Sequence, residues 1–126
     1  MSRPLTVVQL LPALEAGGVE RGTLEIARAL VAAGHRSVVI SAGGKLVESL
    51  VADGSEHITL DIGRKSIGSL WRVPTLRRTF IALGADIVHA RSRLPAWLTL
   101  LAWRSMDRAT RPRFVTTVHG LNSVNL

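Results

Sequence analysis

"LLPALEAGGVERGTLEIARAL", Leu10 to Leu30, changes character twice: an apolar run stops at Pro12, a loop carries Gly17-Gly18, and a helical pattern starts at once. Upstream, Leu5 to Leu11 ("LTVVQLL") is almost continuously apolar, as a strand covered on both faces should be. Downstream, Thr23, Ile26, Ala27, Leu30 and Ala33 fall on one stripe of a helix running from about Val19 to Ala33. Glu20, Arg21, Glu25 and Arg28 lie largely outside that stripe, and Gly34 closes the helix. A strand, a short loop and a covering helix make the first step of a parallel sheet.

The same rhythm continues along the chain. Arg36 to Ser41 reads as a second strand and Lys45 to Ala52 as a short helix ended by Asp53-Gly54. His57 to Ile62 is a third strand, and the loop "GRKSIGS" leads to a helix starting near Pro74 and ending near Leu83. Asp86 to Ala90 is a fourth strand, Pro95 to Met106 a helix apolar nearly all round, and Phe114 to His119 a fifth strand. The expected fold is α/β: an open, doubly wound parallel sheet of about five strands, with helices on both faces and right-handed crossovers.

Composition bounds the setting. With 126 residues, 47% of them hydrophobic, the chain holds one domain with ample core. It has no cysteine, so nothing points to disulfides or an oxidising compartment. Leu94 to Trp103, the longest apolar helical stretch, is too short to cross a bilayer. Gln9 and Pro12 interrupt the apolar core that a signal peptide would need, so a cytoplasmic protein is expected. The net charge of +7 is unevenly spread: residues 1–63 hold five Lys/Arg against seven Asp/Glu, residues 64–126 eleven against two. That second half suits an acidic partner, such as a phosphate-bearing substrate, an anionic membrane or nucleic acid; the plainer reading is a solvated basic surface.

Ligands of open parallel sheets bind beyond the carboxyl ends of the strands. Here those ends are Pro12–Gly18, Ser41–Gly44, Gly63–Ser66, Arg91–Arg93 and His119–Asn122. A dinucleotide fingerprint is not met, because Gly17, Gly18 and Gly22 have the wrong spacing and the second strand ends without an acid. No P-loop Gly-Lys-Ser/Thr follows the first strand, and no carboxylates stand there for a phosphorylation receiver. What remains is a glycine pair before a helix N-terminus, where outward N–H groups and the helix dipole favour an anion. A tight turn requiring positive φ explains the same pair equally well.

Three stretches, "LPALEAGGVERGTLEIARALVAAGHRSVVIS", "ADIVHARSRLPAWL" and "FVTTVHGLNSVN", together resemble the N-terminal, Rossmann-like domain of family 4 glycosyltransferases, a GT-B group that includes lipopolysaccharide-core enzymes. The resemblance covers nearly the whole chain, making residues 1–126 one such domain, and implies transfer of a sugar from a nucleotide-sugar co-substrate to an acceptor hydroxyl, with retention and without a bound metal or other cofactor. It also implies that this domain holds the acceptor, and that the donor-binding domain and the last part of this one are missing, leaving an inactive fragment. On the matching positions, Gly17 and Gly18 line the cleft, and His119 stands near the transferring sugar as the catalytic candidate. Arg91, Ser92 and Arg93 bind substrate, the two arginines gripping an anionic or lipid-linked acceptor as a pair. Lys65, beside Arg64, is a weaker candidate of the same kind.

Surface solubility remains the plainer role for the arginines, and a satisfied structural histidine for His119. Glu20 and Glu25 read as ordinary helix-surface acids; His35, His57 and His89 read as structural, and no trio of ligands suggests a metal. Ser69 to Leu83 ("SLWRVPTLRRTFIAL") sets Trp71 among arginines, suited either to contact with an inner-membrane surface or to simple packing on the sheet. Self-association is expected through a fifth-strand edge that no helix covers. A stand-alone basic binding module stays open, although no nucleic-acid partner is expected because aromatic residues make up only 4% of the chain. A small hydrolase is disfavoured by the lack of G-x-S-x-G.

Overall fold

The computed structural model describes residues 3–63 and 70–117. Its elements follow the order β1 (Thr6–Leu10), α1 (Gly18–Ala32), β2 (Arg36–Ser41), α2 (Val47–Ala52), β3 (Glu56–Thr59), α3 (Arg72–Leu83), β4 (Ile87–Arg91), α4 (Arg93–Arg104) and β5 (Arg113–Thr117). All strand pairs are parallel, in the order β3-β2-β1-β4-β5. The fold is therefore the open α/β sheet that the alternating pattern predicts. Because β1 lies centrally and the chain leaves it first toward β2 and later toward β4, the change of direction falls between β1 and β4. In such sheets a crevice opens there.

Period-two alternation sorts the core into two layers. Val8, Leu10, Val38, Ile40 and Val88 face one way and pack with Leu76 and Phe80 of α3 and Leu98 and Ala102 of α4. On the other face Val39 joins Leu11, Leu14, Ala27 of α1 and Leu50 of α2. Gln9, on that second face, is the one polar side chain of β1 that is fully buried. Its amide must therefore find partners inside the protein.

Element ends differ from the sequence pattern in ways with local causes. The third strand stops at Thr59 rather than Ile62: Leu60 N–H still bonds Ser41 C=O at 2.8 Å, but the chain then bends to bury Ile62 in the core. Helix α2 starts at Val47 rather than Lys45, because Lys45 belongs to the turn after Gly44. Pro74 and Pro95 are both third residues of their helices, α3 and α4, rather than the first. Either place leaves proline in a first turn, where its missing N–H costs nothing. Helix α4 is apolar nearly all round, but only one side of it is buried, and Trp97 and Leu101 are exposed. The fifth strand is described to Thr117; the rest of its expected span, including His119, lies outside the described residues.

The loop after β1 is stitched to the loop after β2. Leu14 N–H bonds Gly43 C=O and Leu46 N–H bonds Leu14 C=O, each at 2.9 Å, and Ala42 N–H reaches Pro12 C=O at 2.9 Å. Gly44 is required there: its φ is 148°, and a Cβ would overlap the Leu14 carbonyl oxygen. This stitching holds the approach to α1 in place.

Candidate functional site

The carboxyl ends of β1 and β4 each run directly into a helix, so two helix N-termini meet at the change of direction. Gly17 is the residue before α1, in an extended conformation, and its C=O accepts from Arg21 N–H at 3.0 Å. Ser92 stands in the same position before α4, its C=O accepting from Ala96 N–H at 3.1 Å. No side chain caps either helix. Between them lies a crevice of about 190 Å³ lined by Leu11, Pro12, Ala13, Val19, Glu20 and Ser92. Aligned N–H groups from two helices make its walls favourable to anions and electron-rich oxygens.

The glycine pair is not there for its backbone angles. Neither Gly17 nor Gly18 has a positive φ in the range that excludes side chains, which corrects the tight-turn reading. Gly18 is the first residue of α1, and a Cβ built on it meets nothing within 4 Å. Nothing in the described protein needs glycine at that position, and the space beside it is left open to a ligand. At Gly17 a Cβ would come within 2.7 Å of Glu20 Oε1. The Glu20 carboxylate therefore folds back over the start of α1 and forms part of the crevice wall. Sequence reading placed Glu20 as an ordinary first-turn acid, and its only signal was its place two residues beyond the glycine pair.

Arg91 and Arg93 do not act as a pair. Two residues apart, with a sharp turn at Ser92 between them, they diverge. Arg91 is 6% exposed and points inward, donating from Nε and Nη2 to Gln9 Oε1 at 3.1 and 2.9 Å. Gln9 Nε2 donates in turn to Thr23 C=O at 3.2 Å, and Thr23 Oγ1 to Val19 C=O at 2.8 Å. This chain of bonds ties the end of β4, through β1, to the first turns of α1. Burial pulls the Arg91 guanidinium below its ordinary pKa, and among the described residues it has no carboxylate partner. A buried cation without a counter-ion adds positive field beneath the α1 N-terminus. Gln9 and Thr23 were missed as site residues; the signal was a lone amide within an apolar strand.

Arg93 is exposed at the start of α4 and borders a separate apolar groove of about 220 Å³ with Ala96, Trp97, Leu100, Phe114 and Thr116. Ser92 carries φ 85° and ψ 159°, a backbone region that is essentially glycine territory. It is the only non-glycine residue with positive φ among those described, and its N–H is held by Thr117 C=O at 3.2 Å. Lys65, Arg64 and His119 lie outside the described residues.

The other histidines have local partners: His35 Nδ1 accepts from Leu5 N–H at 3.0 Å, Ser41 Oγ meets His57 Nε2 at 2.7 Å, and Thr117 Oγ1 meets His89 Nε2 at 2.7 Å. Among the described residues no three His, Asp or Glu side chains converge as metal ligands, and no helix is long and apolar enough to cross a membrane.

The fold has counterparts in known proteins. A glycosyltransferase from Rickettsia africae ESF-5 superposes with a TM-score of 0.77 at 36% identity, covering 91% of this chain and 30% of its own. The glycotransferase of kitacinnamycin superposes with a TM-score of 0.60 at 17% identity, over 94% of this chain and 31% of its own, and shares the fold. No curated protein matches the chain. The chain thus spans about a third of the length of these solved relatives. The profile of Glycosyltransferase Family 4 matches residues 16–125, from the loop before Gly17 to beyond β5, and the chain belongs to that family.

Proposed function

We propose that this chain is the acceptor-side domain of a retaining glycosyltransferase, moving a sugar from a nucleotide-sugar to a hydroxyl of a glycan or lipid-linked acceptor in lipopolysaccharide or other cell-surface polysaccharide synthesis. The observation that carries the reading is the crevice between β1 and β4, with two uncapped helix starts and open space beside Gly18. In the transfer, the anomeric carbon leaves a phosphate oxygen and bonds the acceptor oxygen, and the proton of the acceptor hydroxyl passes to the departing phosphate. Negative charge grows on the departing phosphate, and helix N-termini oriented beforehand stabilise it without reorganising. Glu20, folded over Gly17, accepts hydrogen bonds from sugar hydroxyls. His119 serves beside the transferring sugar, and Arg93 meets negative charge on the acceptor.

Two substrates must be held in one cleft with reacting atoms aligned. The chain supplies one side of that cleft, and a nucleotide-holding domain supplies the other. The test is transfer of a labelled sugar from a nucleotide-sugar, with the product's anomeric configuration read by NMR. Transfer is expected only when both domains are present, with retained configuration. Gly18→Val should leave folding intact and lower kcat/KM by roughly a hundredfold, because a branched side chain fills ligand space. Transfer by this chain alone, or an unchanged rate in the folded variant, contradicts the reading.

A further inference from the structure

The end of β4 holds a charge that the described protein does not balance. Arg91 is 6% exposed, and its guanidinium offers five N–H donors. Two of these go to Gln9 Oε1, a neutral amide oxygen, and the others meet no acceptor among the described residues. The ion pairs of the described residues lie elsewhere: Arg3–Asp86, Arg28–Asp53 and Arg36–Glu56, each with an exposed arginine. Glu20 turns its carboxylate over Gly17 rather than toward Arg91. Taking a cation out of water is costly, and a buried one is normally paired with a carboxylate. Glutamate has the shape of glutamine, so a counter-ion would fit where Gln9 stands, yet β1 carries the neutral amide there.

The unbalanced charge lies under the start of α1. A Cβ at Gly22 would stand 4.0 Å from Arg91 Nη1. Gly22 follows Gly18 by four residues, on the same side of the helix and one turn, about 5.4 Å of axis plus a small remainder, further in. Glycine is a poor choice inside a helix; here it lets the guanidinium pack close against the first turns. An anion seated on the first N–H groups of α1, in the space beside Gly18, is then roughly 10 Å from the guanidinium. At an effective dielectric of about 20, attraction over that distance strengthens binding by about tenfold per unit of ligand charge. Because Arg91 is buried, salt screens it far less than it screens the exposed Arg93.

We propose that Arg91 is a positioning residue for a phosphate or pyrophosphate group in the crevice: a fixed charge that draws the anion to the start of α1 without touching it, the ligand being its counter-ion. The inference rests on the crevice taking a phosphate-bearing substrate, and it adds the residue that sets how strongly charge is held there and favours the more highly charged ligand.

The experiment is an amide-resolved NMR titration of the chain with inorganic phosphate and with pyrophosphate, at low and at high salt, with circular dichroism to verify folding. Gln9→Glu keeps the guanidinium and its acceptor but supplies a counter-ion. It should weaken pyrophosphate at Gly17, Gly18 and Ser92 by about tenfold or more, and phosphate by less. That loss should persist at high salt, whereas the loss in Arg93→Ala should fade. Arg91→Lys keeps the charge without the fork and should hold pyrophosphate within about threefold of the parent. A merely structural role predicts the opposite order: little change in folded Gln9→Glu and a clear loss in Arg91→Lys, equal for both anions. That outcome overturns the proposal and leaves the crevice reading intact. An absence of saturable shifts at the helix starts of the parent chain overturns both. If Gln9→Glu does not fold, Arg91→Lys decides, and a loss of tenfold or more in that variant overturns the proposal.

Discussion

At the scale of single residues, the two arginines that flank Ser92 have opposite fates. Arg91 donates twice to Gln9 Oε1 in the interior, whereas Arg93 is exposed. Replacing Arg91 by Met removes both donors and leaves a buried amide oxygen unsatisfied, which costs about 1–3 kcal/mol. Arg93→Ala removes no buried bond, so stability should change by less than about 0.5 kcal/mol. Urea denaturation of the two variants measures the contrast, and equal losses would contradict the buried network. The glycine pair was legible in the sequence as a place of close approach, but the cause differs from a turn requirement. Positive φ belongs to Gly43 and Gly44 instead, while Gly18 keeps space clear. Glu20 and Gln9 were not legible as site residues, because their roles depend on which way a side chain folds back and on which face of β1 meets α1.

At the scale of elements, strand ends and helix starts carry the strain and the pH sensitivity. Ser92 holds φ 85° without any side-chain capping bond, so Ser92→Gly relieves backbone strain and loses no contact made by the hydroxyl. Strain of this kind costs about 1–3 kcal/mol, offset in part by the freer unfolded chain. The expected result is a gain of about 1 kcal/mol, read as a raised Tm; a lowered Tm would show that the conformation is not strained. Between β2 and β3, burial lowers the pKa of His57, whose ring is bonded to Ser41. The neutral ring is favoured in the fold, and the unfolded chain takes up its proton near pH 6.5. The stability due to neutral His57 is therefore full above about pH 6.5 and is lost as pH falls through and below that value. His57→Gln should flatten the fall in Tm between about pH 7.5 and pH 5 relative to the parent chain. An identical fall in both proteins would remove His57 from the account.

At the scale of the whole molecule, the topology was the most legible feature, because alternating apolar runs and amphipathic helices leave a parallel sheet as the packing that covers every strand. The β2 strand matches its expected Arg36–Ser41 span, where apolar runs are bounded sharply by a charged residue and by glycines. The edge strand β3 ended early because it is held by β2 alone, over Glu56–Thr59, and the chain beyond it bends to bury Ile62. Which loop ends converge was less legible, since it depends on strand order: β1 and β4, remote in sequence, are neighbours in the sheet. That adjacency brings the starts of α1 and α4 around one crevice, and it is the central claim about this molecule. Amide-resolved NMR of the chain titrated with inorganic pyrophosphate tests it most directly. The account predicts saturable shifts at Gly17, Gly18 and Val19 together with Ser92 and Arg93, suppressed in Gly18→Val. Shifts confined to the arginines of α3 and α4, or none at the two helix starts, would contradict it.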